Sequence, residues 1–485
     1  MPLPPLASAS RAPSSRPWLA QWVLGLAMFA MLGLAHAGKK PYSYFVTGNA
    51  DAPVSVSTPP DTPSLVLMGG GPDVDAAFRW MIQRAGVRPG TGGRLVVIRA
   101  TGTEAYNPYI YYSDASNATS GVPADGWVGG AALGLSAVET LVIPSSTAAN
   151  SPFVNAVVAR ADAVFIAGGD QSDYIKNWKG TALDRTLQAL LARQVPLGGT
   201  SAGLAVLGQF DFAALKGTVT SADALANPYN RYVTLDPSPL SLTGGFLAPA
   251  ALRHTVLDSH LDTRDRMGRL ITFMARLVAP VSSTGCPGGI LAASNARAIG
   301  IGVETALLVE GQHSSYVARR VTNPSTTTES AVYFLRPLQA PTTCASAQPL
   351  SMSTVEIRKL ADDSVFDLGS WSGASPYYVD ALSGQLTSSP YWNCGRCWYH
   401  CADRSGAVKA ASTGLPAALV STHRLIEGSH WPSGPRSLSS STNTCEPSSS
   451  SKKSEAGPAP SCAWSRVSSS GLSGENAASF MAMLL

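Results

Sequence analysis

Apolar residues in the first 200 positions fall into short unbroken runs. Leu65-Val66-Leu67-Met68, Leu95-Val96-Val97-Ile98, Thr140-Leu141-Val142-Ile143 and Ala163-Val164-Phe165-Ile166-Ala167 each have the length and continuity of a strand buried on both faces. A fifth, Ala192 to Leu197, leads into a glycine-rich corner. Between these runs the spacing turns helical. Val74, Ala77, Phe78, Met81 and Ile82 share one face, with Asp73 and Asp75 at the N-terminal end where a carboxylate complements the helix dipole. Helical patterns also cover Asn155 to Ala161 and Thr181 to Arg193. Strands alternating with helices predict an α/β class: a three-layer, mostly parallel sheet with helices on both faces. Such sheets gather their chemistry at the C-terminal strand ends. Here those ends are Gly69 to Gly71, Thr101 to Thr103, Gly168 to Gln171 and Ser201.

The flanking regions read differently. Arg11 and Arg16 precede an apolar run, Trp18 to Leu34, that ends in Ala35-His36-Ala37; this is a secretory signal peptide pattern spanning residues 1–37. The mature protein is therefore expected to be secreted or periplasmic, with no membrane attachment after cleavage. Residues 38–63, polar and Pro-rich, read as a linker or extended arm, and the main domain as 64–312. Residues 313–389 form a small β-rich extension, with alternation such as Ala331-Val332-Tyr333-Phe334-Leu335. From 390 to 485 periodicity disappears, which reads as a low-complexity or disordered tail, or as the product of a reading-frame error.

Composition narrows the function. The formal charge is +4 over 485 residues and no basic cluster is interleaved with aromatics, so nucleic acid is not an expected partner. Gly69-Gly70-Gly71 lacks the G-x-G-x-x-G pattern of a dinucleotide site. All seven cysteines lie at or beyond Cys286, so disulfides cannot hold the first half together. Cys394-Gly395-Arg396-Cys397 with His400 and Cys401 has the spacing of half a zinc site, but lacks a second half, and export favours disulfides. Neither a metal nor an organic cofactor is expected.

The candidate chemistry starts at Gly198-Gly199-Thr200-Ser201-Ala202-Gly203-Leu204. A serine on a tight strand-to-helix turn presents its hydroxyl beside helix N-terminal amides that stabilise negative charge. A serine nucleophile needs a base. His260, in Asp258-Ser259-His260, follows the apolar-leaning run Thr255 to Leu257 and precedes an Arg-studded helix, a setting suited to an anionic or carboxylate-bearing substrate.

Gly168-Gly169-Asp170-Gln171, Gly198 to Gly203, Asp258 to Leu270 and Gly300-Ile301-Gly302-Val303-Glu304-Thr305-Ala306 together resemble the cyanophycinase-like serine peptidases of the dipeptidase E / cyanophycinase clan, from about Ser64 to Glu310. The resemblance implies a flavodoxin-like, class I glutamine-amidotransferase-like fold. It implies Ser201 as nucleophile, His260 as general base and Glu304 as third member of a triad. It places the oxyanion hole at the amides of Gly169, Asp170 and Ala202. Gln171, Asp258, Ser259, Arg264, Arg266 and Arg269 would line or support the substrate site. The implied partner is a peptide or polymer substrate: cyanophycin, a poly-aspartate carrying arginine on its side-chain carboxyls, cut to β-Asp-Arg dipeptides. A homodimer is one assembly state open to the protein. Two departures mark this chain: Asp258-Ser259-His260 where the family often has Asp-Gln-His, and Gly302-Val303-Glu304-Thr305-Ala306 where the family has Gly-Ile-Asp-Glu-x-Thr-Ala. Two other functions compete: an amidase or glutaminase-like hydrolase of the same fold, and a catalytically silent binding protein that keeps the pocket.

Overall fold

The computed structural model describes residues 40–56, 62–112, 127–281, 285–312 and 315–391. The chain divides into Met1–Arg396 and Cys397–Leu485, and every described residue lies in the first unit. The expected signal peptide, the half zinc motif and the tail beyond Tyr391 fall outside the described residues.

The strands and helices that place the site are, in order, β1 (Ser43–Gly48), β2 (Ser64–Met68), α1 (Asp75–Arg84), β3 (Arg94–Arg99), β4 (Ala137–Val142), β5 (Ala163–Ile166), α2 (Gln171–Asn177), α3 (Ala182–Ala192), β6 (Leu197–Thr200) and α4 (Ala202–Ala205). There follow β7 (Asp211–Phe212), β8 (Leu235–Asp236), β9 (Thr255–Asp258), α5 (Met267–Leu277), β10 (Arg297–Ile301), β11 (Thr305–Gln312), β12 (Ser315–Thr322), β13 (Val332–Pro337), β14 (Met352–Leu360), β15 (Val365–Asp367), β16 (Pro376–Leu382) and β17 (Gln385–Leu386).

The nine-stranded sheet runs β1-β4-β3-β5-β6-β2-β11-β12-β15. Its centre, β4-β3-β5-β6-β2, is parallel, as the unbroken apolar runs predict. Alternate side chains enter opposite cores: Leu65 and Leu67 join one cluster, Val66 and Met68 the other. The helices on the two faces close both cores, so the fold is the expected α/β layering of helices around a parallel-rich sheet. Because β5, β6 and β2 are neighbours pointing the same way, the Gly168, Ser201 and Gly69 strand ends meet on one rim.

Two boundaries differ from the sequence expectation. Residues 43–48, inside the stretch expected to be a linker, form β1 and pair antiparallel with β4. The short alternation Ser43 to Gly48 was masked by the Pro-rich segment after it. The C-terminal β-strands are not a separate appendage either. β12 and β15 extend the nine-stranded sheet, while β13, β14, β16 and β17 share a six-stranded sheet with β10 and β9, in the order β17-β16-β14-β13-β10-β9. The strand that leads to His260 therefore lies at the edge of a sheet built mainly from residues beyond 330. Cys286 and Cys344, both fully buried, form a disulfide within that second core.

Candidate active site

β6 ends at Thr200, and the chain turns at once into α4. The turn requires glycine on both sides. A Cβ on Gly199 would lie 2.5 Å from the Gly203 carbonyl, and one on Gly203 would lie 2.1 Å from the Ile166 carbonyl oxygen. Removing those methyls lets α4 cross directly over the ends of β5 and β6. The strain is concentrated on Ser201, whose φ of 53° and ψ of −112° are rare for a residue with a side chain. This is the geometry of a nucleophile elbow, with the hydroxyl at the exposed end of the strand.

His260 meets it there. Ser201 Oγ and His260 Nε2 are 3.0 Å apart, hydrogen-bond distance for a serine and its base. The backbone of His260 is held from both sheets: its N–H donates to Gly69 O, after β2, at 2.8 Å, and the Leu261 N–H donates to Ile301 O, in β10, at 3.1 Å. Gly70, at φ +96°, has the ring packed over it; a Cβ there would lie 2.3 Å from Nε2. Burial lowers the His260 pKa to about 4, aided by the positive charges of Arg264 and Arg266 and opposed by Asp258. The ring is thus neutral near pH 7, able to accept a proton from Ser201.

The Gly168–Gln171 loop flanks the pair. A Cβ on Gly168 would lie 3.5 Å from that of Ser201. Asp170 caps α2, its carboxylate accepting the Ser172 N–H at 2.8 Å, so its side chain is committed to the helix. Ala202 is the first residue of α4, and its N–H has no intrahelical acceptor. Gln171, the first residue of α2, donates from its Nε2 to Phe212 O at 3.4 Å.

The three arginines separate into distinct roles. Arg269 is 2% exposed and grips Asp258, also 2% exposed, with two hydrogen bonds of 2.7 Å. It donates further to Thr218 Oγ1 and Val219 O and lies over the Phe212 ring. Both charges are spent on each other, so the pair supports the site from behind. Ser259 is likewise buried, and its carbonyl accepts from Arg266 Nη1 at 2.9 Å. Arg266 reaches Asp258 only at 3.7 Å. Arg264 alone of the three is exposed, and its charge bears on His260.

Glu304 is tied to the Gly70 turn by its backbone: its N–H donates to Gly70 O at 3.0 Å. Its carboxylate, however, takes its hydrogen bonds from the segment after β12. Oε2 accepts from Thr326 Oγ1 at 2.8 Å, the Thr327 N–H at 2.6 Å and the Thr328 N–H at 3.2 Å, and Thr327 Oγ1 lies 3.1 Å from Oε1. Burial pushes its pKa up, but these donors outweigh that and hold it below the ordinary glutamate range. The structure therefore brings Ser201, His260, Gly168 to Gln171 and Arg264 together, and shows the Glu304 carboxylate bonded to the threonines.

Asp73 belongs to this rim although the sequence marked it only as a helix-start carboxylate. It lies beside Tyr106 and Thr200, the residue before the nucleophile, and burial raises its pKa to about 6 against the lowering influence of those two hydroxyls and of the Arg99 charge. Its position between Gly71 and α1 was legible; its proximity to Thr200 depends on β2 and β6 being neighbours, which spacing does not reveal.

Residues 131–216, which contain the Gly168–Gln171 loop and Ser201, match the model of Peptidase family S51. No curated protein matches the chain. Among solved structures, a peptidase from an acI-B1 Actinobacterium aligns at 15% identity and a TM-score of 0.31, over 67% of this chain and 97% of that one. A putative peptidase E protein from Listeria monocytogenes EGD-e aligns at 14% identity and a TM-score of 0.30, over 54% of this chain and 100% of that one. With the family match lying on the nucleophile elbow and its neighbouring loop, the chain is similar to the serine peptidases of family S51, the dipeptidase E and cyanophycinase-like group that its motifs resemble.

Proposed function

We propose that the protein is an exported serine peptidase that cleaves aspartyl peptides, cyanophycin among them, to β-Asp-Arg dipeptides. The observation that carries this is the 3.0 Å contact between Ser201 Oγ on its strained elbow and the neutral His260 Nε2. Ser201 attacks the scissile carbonyl as His260 takes its proton. The amides of Ala202 and of Gly169 and Asp170 receive the developing oxyanion. His260 then gives the proton to the leaving amine, and water, activated by the same imidazole, releases the acyl group. Arg264 offers an exposed guanidinium beside the reacting pair, which favours a substrate carrying a carboxylate near the cleaved bond. The buried Cys286–Cys344 disulfide supports an oxidising destination, in keeping with the N-terminal signal pattern.

A role for Glu304 as the third triad member requires its carboxylate to leave Thr326 to Thr328 for His260. That same commitment of Glu304 favours the second reading, a binding protein without turnover. Labelling with a fluorophosphonate distinguishes them. Modification of Ser201 that disappears in Ser201→Ala supports the hydrolase, and an unlabelled wild type refutes it. Incubation with cyanophycin, β-aspartyl dipeptides and ordinary α-peptides then sets the specificity; release of products from α-peptides alone would refute the aspartyl assignment.

A further inference from the structure

The segment that carries His260 and Arg264 is fastened from an unexpected direction. Between β9 and α5, two residues with side chains occupy left-handed backbone, His260 at φ 48° and Asp265 at φ 45°. Such conformations persist only where the surroundings hold them. Within the segment, the Arg264 N–H donates to His260 O at 3.2 Å and the Arg266 N–H to Leu261 O at 2.8 Å. From outside it, the last described residue, Tyr391, supplies the clamp. Its hydroxyl accepts the Met267 N–H at 3.0 Å and offers its single proton to Leu261 O and Asp265 Oδ1, both at 3.0 Å. One phenol thereby ties the beginning, the strained middle and the helical end of the segment.

Tyr391 is itself held by the C-terminal strands. Lys359 Nζ on β14 donates to its carbonyl at 2.8 Å, and Tyr377 OH on β16 donates to Pro390 O at 2.5 Å. The Tyr333 ring on β13 meets the Tyr391 ring edge-on, with centroids 5.8 Å apart. The strands beyond 330 thus reach back to the residue immediately after the catalytic base.

We propose that Tyr391 is a positioning residue for the peptidase reaction, fixing the 260–267 segment so that His260 faces Ser201 and Arg264 faces the substrate. This rests on the serine-peptidase reading. It gives the C-terminal strands a function in catalysis: through Tyr391 they add to the Leu261 carbonyl, the Asp265 carboxylate and the Met267 N–H the contacts that complete the fastening begun by Ile301 at the Leu261 N–H.

The test compares full-length wild type with Tyr391→Phe and Lys359→Met. Tyr391→Phe keeps the ring and removes the three contacts of the hydroxyl. It is expected to lower kcat roughly tenfold, to raise KM for carboxylate-bearing substrates by a smaller factor through Arg264, and to slow fluorophosphonate labelling of Ser201 about as much as kcat. Lys359→Met, which loosens the clamp without touching the loop, shifts the same quantities less. The charges facing His260 are Arg264, Arg266 and Arg269, which disfavour its protonation, and Asp258, which favours it. Loosening the loop hydrates the ring and lets Arg264 and Arg266 move off, so NMR titration of His260 is expected to shift upward in Tyr391→Phe. Unchanged labelling, kcat and His260 titration in both variants would overturn the proposal, whatever happens to Tm. If wild type is never labelled, the peptidase reading fails by itself; the positioning role is then decided by the His260 titration alone.

Discussion

The two halves of the reacting pair are built in opposite ways. The Ser201 corner is assembled from one contiguous stretch: Gly199, Thr200, Ser201, Ala202 and Gly203 supply the close approach, the strained φ and the helix N-terminus. The His260 corner is assembled from a distance. Gly69 and Gly70 from β2's end, Ile301 from β10 and Tyr391 from beyond β17 hold it in place. A local device tolerates change elsewhere in the molecule, whereas a long-range one can be dislodged by substitutions that touch neither reacting atom.

The largest expected effect lies on the local side. Ser201→Ala should abolish hydrolysis by at least about a thousandfold while leaving Tm unchanged, since it removes one hydroxyl from a well-packed turn. Melting curves beside activity assays check both halves. The sharper comparison is Gly70→Ala, far from Ser201 in sequence. A methyl group placed 2.3 Å from His260 Nε2 must displace the imidazole, and at φ +96° the new side chain is strained besides. A displacement near 1 Å costs about a hundredfold in rate, so kcat/KM should fall by roughly that factor. Retention of wild-type kcat/KM in Gly70→Ala would break the contrast between the two corners.

This contrast also explains what the sequence revealed. The parallel core was legible because buried strands carry unbroken apolar runs, and Ser201 was legible because its surroundings are its sequence neighbours. Gln171 was marked through the family resemblance of its Gly-Gly-Asp-Gln loop, not through periodicity. β1 was hidden because a brief edge strand abuts a Pro-rich segment. Sharing of the second sheet by β9 and the C-terminal strands depends on pairing between residues as distant as Ala298 and Leu335, which local periodicity cannot encode. Tyr391 gave no signal, because a single hydroxyl acting through three backbone and side-chain partners leaves no pattern. The arginines illustrate the same limit: their spacing within one segment conceals that Arg269 faces inward and Arg264 outward.

Those two arginines provide the next pair of tests. Arg269→Ala leaves the Asp258 carboxylate buried without its bidentate partner, an arrangement that costs about 3–5 kcal/mol, so denaturant unfolding should show a loss of that size. Arg269→Lys should recover only part, because an ammonium cannot reproduce both 2.7 Å contacts. Arg264→Ala is expected to leave stability nearly unchanged and to raise KM for acidic substrates about tenfold. It should also move the acid limb of the kcat/KM profile. With the His260 pKa at about 4, wild type keeps its base unprotonated down to that region. Removing a nearby positive charge makes protonation easier, so the limb shifts to higher pH. A limb that stays in place would mean that burial and the remaining charges, not Arg264, set the value.

The smallest effect is expected at Glu304, and its size decides how the two corners are connected. The carboxylate is bound by Thr326, Thr327 and Thr328, and the segment it holds is also tied to the nucleophile side. Asn323 Oδ1 accepts the Asp75 N–H at 3.0 Å and Asn323 Nδ2 donates to Asp73 O at 2.9 Å. Glu304→Ala should therefore loosen residues 323–330 and lower kcat by less than about tenfold, through the Gly70 turn that its own backbone N–H supports. Loss of an orienting triad carboxylate costs on the order of ten-thousandfold. A drop of that magnitude in Glu304→Ala, with Tm preserved, would show that the carboxylate leaves its threonines during turnover and reaches His260. A few-fold drop assigns it to the wall of the site and leaves orientation of the base to the backbone contacts at Gly69 and Ile301 and to the clamp at Tyr391.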